Sequence, residues 1–329
     1  MGLSRVRPIC RTVDMHETVN LRDGRTVVFL VLATVCLSGW ISPPLALALG
    51  LAFALTVGNP LPRLAQKSAK LLLQASVVGL GFGMNLGILW SAGRTGIGFT
   101  VGTITGTLLL GWCVGRLLRV ESQTSTLVSC GTAICGGSAI AAVAGVIKAD
   151  SRAVSVALAT VFVLNAVALF LFPPLGHWLG LTQHQFGVWS AIAIHDTSSV
   201  VGAAAKYGDE ALRVATTVKL VRALWIVPLA LGLALVTGRK GAKIAWPWFI
   251  LFFVAAACVR TWLPQGEAGY GKLVLLARLG LTLTLFLIGA QISREALRTV
   301  GWRALVQGII LWIAISLTGL LAVRHWAGA

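Results

Sequence analysis

Two stretches decide the fold of this chain: SCGTAICGGSAIAAVAGVIKAD at residues 129–150, and AIAIHDTSSVVGAAAKYGD at residues 191–209. Overlaid without gaps at an offset of 60, they and the residues that follow share seven identities in thirty-two positions. Each stretch is apolar at both ends and has small polar residues in its middle. This pattern is typical of a helix interrupted at membrane depth, where irregular backbone is tolerated only inside protein or along a cavity. Paired interruptions of this kind indicate the binding site of a transporter.

The composition of the whole chain is that of a helical membrane protein. Of the 329 residues, 57% are hydrophobic and 11% are charged, whereas ordinary soluble domains have about 25% charged residues. The net charge of +17 is spread through short loops between apolar runs and is not gathered on one face. We therefore exclude nucleic acid as a partner and expect the lipid bilayer instead.

Eleven apolar segments are predicted, which gives an all-α polytopic membrane protein. With the N-terminus inside, Lys and Arg divide into 16 cytoplasmic, 9 external and 2 within a segment, so the positive-inside rule favours a cytoplasmic N-terminus. We expect residues 1–25 to be a basic cytoplasmic lead-in and 26–329 to be a single transmembrane transporter domain. The segments are 26–41, 43–58, 69–90, 96–115, 122–148, 152–172, 184–206, 210–236, 244–263, 272–292 and 301–323.

The two interrupted segments, 122–148 and 184–206, have two interpretations. Each is either a broken helix that crosses the bilayer or a re-entrant hairpin that enters and leaves on one side. Hairpins change the charge division to 18 cytoplasmic and 7 external residues, a difference too small to decide. Because one crossing, 152–172, separates the two segments, hairpins would enter from opposite sides and meet tip to tip.

A second self-match predicts inverted repeats. At an offset of 208, Gly81, Leu89 and Gly93 fall on Gly289, Leu297 and Gly301. The segments that contain or adjoin these residues are the third and the tenth, an odd separation that implies opposite orientations. Inverted repeats are a common basis of alternating access in transporters.

Four ionisable side chains fall at membrane depth: His195, Asp196, Lys219 and Arg222. Each costs at least ~2.5–3.5 kcal/mol to insert, so each is a candidate for function. Lys219 and Arg222 are three residues apart on one helical face, and with Asp196 they leave one surplus positive charge. A bound anion would neutralise it. The alternative is a closed ion pair between Asp196 and one base, with the other base reaching an interface.

The restarts of the interrupted helices are the expected substrate site. The first turn of a helix has unpaired N–H groups and partial positive charge, which suit an anion. Glycines allow close approach of the backbone, and hydroxyls cap the helix or bind the ligand, although Asp196 is itself a candidate N-cap. The predicted substrate-binding residues are Gly136, Gly137, Ser138, Thr197, Ser198 and Ser199, with Lys219 and Arg222 as counter-charge.

His195 titrates near physiological pH, so His195 and Asp196 are the expected ion-coupling pair. The coupling ion is open between protons and Na⁺. One alternative is a cation:proton antiporter that uses Asp196 as the carrier carboxylate. Another is a membrane-embedded enzyme or sensor that uses Cys130, Cys135 or His195.

Neither a cofactor nor catalysis is expected. His177 and His184 have no third ligand, so no metal site is predicted. The chain has no Gly-rich phosphate loop, no G-x-S-x-G and no H-E-x-x-H, which excludes a nucleotide-driven pump and the known hydrolase motifs. We therefore predict a protein that is not an enzyme and whose transport is driven by an ion gradient or by the substrate's own gradient.

Four ordered blocks carry a resemblance to a known family: CGTAICGGSAIAAVAGVIKAD, ALATVFVLNAVALFLFPPLG, AIAIHDTSSVVGAA and ATTVKLVRALWIVPL, between about 130 and 230. They resemble the YeiH-type bacterial membrane proteins, a family labelled sulfate exporters and grouped with bile-acid symporters and cation:proton antiporters. The resemblance implies a secondary transporter of the bacterial inner membrane for sulfate, a sulfonate or a similar anion. It also implies inverted repeats with crossing broken helices and a moving core domain. The oligomeric state stays open, a homodimer included.

Overall fold

The computed structural model describes residues 23–84, 86–236, 248–291 and 301–326, and these residues form helices and connecting turns without a strand. The predicted lead-in, 1–25, lies almost wholly outside them. A 3-10 turn, Pro264–Gly266, leads into the helix that begins at Glu267. The helices are α1 Gly24–Cys36, α2 Pro43–Thr56, α3 Pro62–Gly81, α4 Leu86–Leu117, α5 Ser122–Ala133, α6 Gly137–Ile147, α7 Ser151–Trp178, α8 Gln183–Ala193, α9 Thr197–Tyr207, α10 Asp209–Leu224, α11 Ile226–Val236, α12 Trp248–Trp262, α13 Glu267–Gly289 and α14 Trp302–Trp326.

Within the described ranges, five helical stretches are long and apolar enough to cross a membrane. The other apolar helices are shorter. Together with the all-helical fold, these lengths confirm the prediction of a polytopic membrane protein. The five stretches are Gly98–Leu117, Ser151–Trp178, Asp209–Leu233, Pro264–Gly289 and Trp302–His325.

The described helices follow the predicted segments closely, except at the third and the fourth. The third segment is predicted over 69–90, whereas α3 covers Pro62–Gly81. The fourth is predicted over 96–115, whereas α4 begins at Leu86. Pro62 begins the helix early because its ring fixes a helical φ and its missing N–H is not needed there. The prediction failed because the first turns of α3 carry Arg63, Lys67 and Lys70, and hydropathy alone does not detect an amphipathic start.

Each interrupted segment is a re-entrant hairpin. In the first hairpin, α5 and α6, the Asp150 N–H after α6 donates to Gln123 Oε1 at the start of α5, 2.9 Å away. In the second hairpin, α8 and α9, the Glu210 N–H donates to Gln183 Oε1 at 3.0 Å. The Tyr207 ring also stacks on Phe186, with ring centroids 3.8 Å apart. Both segments therefore return to the end from which they started, and the crossing interpretation is wrong.

The two hairpins approach from opposite ends and meet tip to tip. Their open ends are joined by the 28 residues of α7, a length of about 42 Å at ~1.5 Å per residue. Arms of 12 and 11 residues, α5 and α8, reach about 18 and 16 Å from the two ends. A Cβ built on Gly136 would lie 3.4 Å from the Cβ of Asp196, so the tips touch.

α3 and α13 form a closely packed antiparallel pair. Gly79 of α3 faces Ala277 of α13, and Ser76 of α3 faces Gly280 of α13. The residue numbers of α13 therefore fall as those of α3 rise, which shows that the two helices are antiparallel. Small residues let the two backbones approach closely, as is common between membrane helices. The opposite orientation expected of the third and tenth segments is thus observed.

The glycines that end α3 and α13 make equivalent contacts. Gly81 packs against the Phe253 carbonyl of α12, and Gly289 packs against the Leu47 carbonyl of α2. These two glycines are a pair in the offset-208 self-match, whose Leu297 lies outside the described residues. The inverted repeat of the whole chain stays a prediction.

Candidate functional site

The site is the tip junction, which we define as the contact between the tips 134–136 and 194–196. Beside it runs α10, parallel to α8. Along the two helices Gln183 contacts Glu210, Gly187 faces Ala211, and Ala191 contacts Lys219, so both residue numbers rise together. Lys219 is ten residues into α10, about 15 Å from its start at ~1.5 Å per residue. The arms of the second hairpin have almost the same length, so Lys219 reaches the depth of the tips.

The fully buried Lys219 ammonium binds both tips at once. It donates to the carbonyl oxygens of Ile134 at 3.1 Å, Ala191 at 3.3 Å and Ile194 at 2.7 Å. These carbonyls lie at the C-terminal ends of α5 and α8, where a helix leaves its last C=O groups unpaired and carries partial negative charge. A single cation therefore satisfies three backbone acceptors and compensates two helix ends.

Arg222, also buried, continues this arrangement toward the first hairpin. Its Nη2 donates to the Ala133 carbonyl at 2.6 Å, and its Nη1 donates to Thr103 Oγ1 of α4 at 3.0 Å. The structure thus brings both predicted cations to the tip junction. It pairs them with neutral backbone and hydroxyl oxygens, which leave the formal charge of both side chains uncancelled.

Asp196 is the N-cap of α9, the alternative that the sequence left open. Its Oδ1 accepts from the N–H of Ser199 at 2.5 Å and from Ser198 Oγ at 3.1 Å. Its Oδ2 accepts from Ser199 Oγ at 3.1 Å and from Asn165 Nδ2 at 3.0 Å. In the described part of the chain no base lies within 4 Å of this carboxylate, so a closed Asp196–base ion pair is absent.

Asn165 of α7 is a site residue whose role the sequence did not reveal. Besides donating to Asp196, it accepts at Oδ1 from the His195 N–H, 3.0 Å away. It thereby fixes the second tip to the helix that connects the hairpins. The only available signal was an amide near the middle of an apolar segment, which is also typical of an ordinary contact between helices.

His195 lies at the second tip with a fully buried ring. Within the described residues, neither Nδ1 nor Nε2 has a hydrogen-bond partner. Buried polar groups are paired in the great majority of cases, and unpaired ones mark strain or function. The hydroxyl of Thr132, in the last turn of α5, is buried and unpaired in the same way.

The start of α6 differs from the start of α9. Its N-cap is Gly136, with φ +63° and no side-chain hydrogen bond to the first turn. Gly137 is half-buried and Thr197 is half-buried, but Ser138 lies on the exposed face of α6. Ser138 therefore does not share the tip junction with the other predicted residues. Those at or next to the two tips are Gly136, Gly137, His195, Asp196, Thr197, Ser198, Ser199, Lys219 and Arg222.

A cavity lies on each side of the tip junction. The arginine cavity, about 410 Å³, is lined by Arg213, Arg260 and Arg278 and lies near the open end of the second hairpin. The serine cavity, about 310 Å³, lies along α5 of the first hairpin and is bordered by Arg116 of α4 and Leu229 of α11. The α5 residues that line it are Ser122, Ser125, Thr126, Ser129 and Cys130.

Among the described residues, no group of three or more His, Cys, Asp or Glu side chains could hold a metal ion. Cys130 and Cys135 are free and buried. The polar groups that converge at the tip junction are thus one carboxylate, two cations, an imidazole, an amide and hydroxyls.

Comparison with known proteins identifies the family. A family described as conserved hypothetical protein 698 matches residues 27–308. The chain belongs to this family. The UPF0324 membrane protein of Bacteroides thetaiotaomicron is 54% identical over 285 residues, which cover 86% of each chain. That of Porphyromonas gingivalis is 57% identical over 287 residues, 86% of this chain and 87% of the relative.

A third relative extends the similarity over almost the whole chain. The UPF0324 membrane protein of Geobacter sulfurreducens is 50% identical over 306 residues, 93% of this chain and 97% of the relative. The conserved hypothetical protein 698 family is thus a family of bacterial membrane proteins, in agreement with the apolar helices. No solved structure matches the chain. The resemblance to YeiH-type exporters and their superfamily stays a prediction.

Proposed function

We propose that this protein is a secondary transporter that moves a small anion, sulfate or a sulfonate, across the bacterial inner membrane, with a cytoplasmic N-terminus. The observation that supports the proposal is the tip junction: two hairpins from opposite ends meet beside two buried cations. Irregular backbone at membrane depth is tolerated where it is buried in protein or lines a path for a substrate. The arginine and serine cavities lie on the two sides of the tip junction, where alternating access would open a path to each side in turn.

The charge of the tip junction favours an anion. Lys219 and Arg222 contribute two positive charges and Asp196 one negative charge, and all three side chains are buried. With a neutral His195, one positive charge is left without a counter-ion. A buried charge is costly unless it is paired, so a bound anion would stabilise the junction: a sulfonate carries the one negative charge that is needed, and sulfate carries two.

The start of α6 is the position that suits this anion. The C-terminal ends of α5 and α8 are occupied by Lys219, and the start of α9 is capped by Asp196. The start of α6 has no side-chain cap, and its Gly136 touches Asp196 across the junction. Because a helix start presents N–H groups and partial positive charge, an anion would bind here, next to Gly136 and Gly137.

Ion coupling would use His195, with Asp196 beside it. The His195 ring has two unpaired nitrogens, so it is free to take up a proton or to bind the substrate. The Asp196 oxygens accept four hydrogen bonds, which stabilise the ionised carboxylate. We therefore propose that the proton is carried by the imidazole and that Asp196 provides a fixed negative charge. Na⁺ is the second coupling ion to be tested.

A cation:proton antiporter that uses Asp196 is the second candidate function, and the geometry favours it less. A carrier carboxylate needs oxygens that are open to the cation, whereas both Asp196 oxygens already accept from Asn165, Ser198 and Ser199. An enzyme or sensor based on Cys130 or Cys135 is the third. It requires a thiol, and it is rejected if a variant without cysteines keeps full activity.

Transport in proteoliposomes tests the proposal. Purified protein is reconstituted, and the uptake of labelled sulfate and of a labelled short alkanesulfonate is followed with and without pH and Na⁺ gradients. We expect uptake of at least one anion, and we expect Lys219→Gln to abolish it while the exposed control Lys206→Gln keeps it. Anion uptake that is equal in Lys219→Gln and in the unmodified protein contradicts the proposal. Cation-dependent transport that ignores anions and is lost in Asp196→Asn supports the antiporter.

A further inference from the structure

The arginine cavity has a wall of positive charge built from three helices. Arg213 is on α10, Arg260 on α12 and Arg278 on α13. Arg260 pairs with Glu267 at 2.6 Å, and Arg278 pairs with Asp209 at 2.9 Å. Among the described residues, no carboxylate lies within 4 Å of Arg213. Glu267 also lines the cavity, where it is paired with Arg260, so Arg213 is the lining guanidinium that has no carboxylate partner among the described residues.

Most of the other residues that line the arginine cavity are apolar, and we call them its apolar wall. They include Leu80 of α3, Leu212 of α10, and Val274 and Leu275 of α13, so two of the helices that carry the arginines also carry apolar lining residues. At about 410 Å³, the cavity is in the range of ~300–1,000 Å³ that holds small organic ligands. A lining that combines a guanidinium with apolar side chains suits an anionic headgroup with a short apolar body better than it suits a bare inorganic anion.

The floor of the arginine cavity is close to the tip junction. Thr216 lines the cavity and lies three residues before Lys219 on α10, which is about 4.5 Å along the helix axis. Residues three apart are neighbours on a helix surface, so Thr216 lies between Arg213 and Lys219. One helical turn therefore separates the cavity from the cation that binds both hairpin tips.

Met84 lies between the arginine cavity and the tip junction. It lines the arginine cavity and accepts a hydrogen bond at Sδ from Thr217 Oγ1 at 3.5 Å. On its other side, the buried Met84 belongs to the apolar cluster that contains Ile134 and Cys135 of the first tip. Methionine is flexible and adapts to irregular space, so this side chain can move without a change in the backbone.

We propose that the arginine cavity is a second binding site, specific for a small organic anion such as a short alkanesulfonate. Arg213 binds the anionic headgroup, and the apolar wall binds the body. Binding in the cavity is independent of transport. The further role of the arginine cavity, as the site that the anion occupies before it moves past Met84 to the tip junction, rests on the proposed function.

Direct binding to the full-length purified protein tests this site. The probe is 1-propanesulfonate, and methyl propyl sulfone serves as an uncharged analogue of similar size, with inorganic sulfate as the bare anion. By calorimetry we expect propanesulfonate to bind, the sulfone not to bind, and sulfate to bind more weakly. Equal binding of the sulfone would overturn the role of the charge, and stronger binding of sulfate would overturn the role of the apolar wall.

Two variants and one control locate the binding. Arg213 is exposed, so Arg213→Gln should fold normally and raise the Kd for propanesulfonate at least tenfold. Gly271→Phe should block the cavity without altering charge, because a Cβ built on Gly271 meets no atom within 4 Å. The control is Lys272→Gln, an exposed base beside the cavity that does not line it. Unchanged binding in both Arg213→Gln and Gly271→Phe overturns the proposal.

Lys219→Gln distinguishes the two proposals. We expect this variant to lose transport and to keep propanesulfonate binding in the arginine cavity. If binding is lost with Lys219 and insensitive to Arg213, the anion binds only at the tip junction, and the second site is rejected while the proposed function stands. If binding depends on Arg213 and transport is normal in Lys219→Gln, the proposed function fails and the second site stands.

Discussion

Gly136 and Asp196 face each other across the tip junction, close enough that a Cβ on the glycine would be 3.4 Å from the Cβ of the aspartate. The two residues come from hairpins that begin about 42 Å apart, the length of the 28-residue α7 at ~1.5 Å per residue. Gly136 has φ +63° and ψ −124°, a conformation that other L-residues avoid. A glycine at this position therefore lets the tip form without backbone strain.

Gly136→Ala tests that requirement. We expect the variant to be destabilised by about 1–3 kcal/mol, because alanine is strained at this backbone conformation. The matched control is Gly145→Ala in the same helix, where a Cβ meets no atom within 4 Å. Since alanine is favoured over glycine inside a helix by about 0.5–1 kcal/mol, the control should be neutral or stabilised. Thermal unfolding in detergent measures the stability of both variants. Equal unfolding midpoints would contradict a requirement for glycine at position 136.

Lys219→Gln should lower stability as well as transport. The shorter amide cannot replace all three hydrogen bonds of the ammonium, and a buried acceptor without a partner costs on the order of 1–3 kcal/mol. Lys206→Gln, at the exposed end of α9, should leave the unfolding midpoint unchanged. Chemical unfolding of the two purified variants provides the comparison. A Lys219→Gln midpoint equal to that of the control would show that the three carbonyls do not depend on the ammonium.

Asn165→Ala should loosen the second tip. It removes the acceptor of the His195 N–H and one donor to Asp196, so we expect a loss of about 1–3 kcal/mol. Thr160→Val in the same helix is the control, because among the described residues the Thr160 hydroxyl bonds only to the carbonyl of Val156, one turn earlier. Hydrogen exchange over 191–199 should rise in Asn165→Ala alone. Unaltered hydrogen exchange in Asn165→Ala would show that Asn165 does not hold the second tip against α7.

The hairpin topology predicts which residues are labelled from the same side. Single cysteines replace Gln123, Lys148, Gln183 or Lys206 in a variant whose six native cysteines are removed. A membrane-impermeant maleimide should label the first two from one side of the membrane and the last two from the other. If Gln123 and Lys148 label from opposite sides, the first segment crosses the bilayer.

The sequence predicted the interruptions because small polar residues between apolar arms have no place in a continuous membrane helix. It did not decide between crossing and hairpin, because the two topologies differ by only two basic residues in the charge rule. The hairpins were recognised only from contacts such as Gln183 with Glu210, which join residues 27 positions apart. Contacts at that separation leave no local periodicity in the sequence.

The sequence predicts most of the residues of the site but not their hydrogen-bond partners. Lys219 and Arg222 stood out as charges at membrane depth, yet their partners are backbone carbonyls, which every residue carries and no pattern reveals. Ser138 was assigned to the junction with its glycine neighbours, whereas the turn at Gly136 rotates α6 so that Ser138 is exposed. Which face a helix presents after a break depends on the dihedral angles of the break.

One ammonium bonded to both Ile134 and Ile194 has a mechanical consequence. The two tips cannot separate without breaking the bonds of Lys219, so a gate that opens between them is unfavourable. A displacement that preserves these bonds carries both hairpins, α7 and α10 together as one rigid body. The surface along which such a body slides would be the antiparallel pair α3 and α13 with its neighbours α2 and α12. If the protein transports as proposed, opening toward either end would be a change in the position of this body, and its two hairpin tips would stay joined.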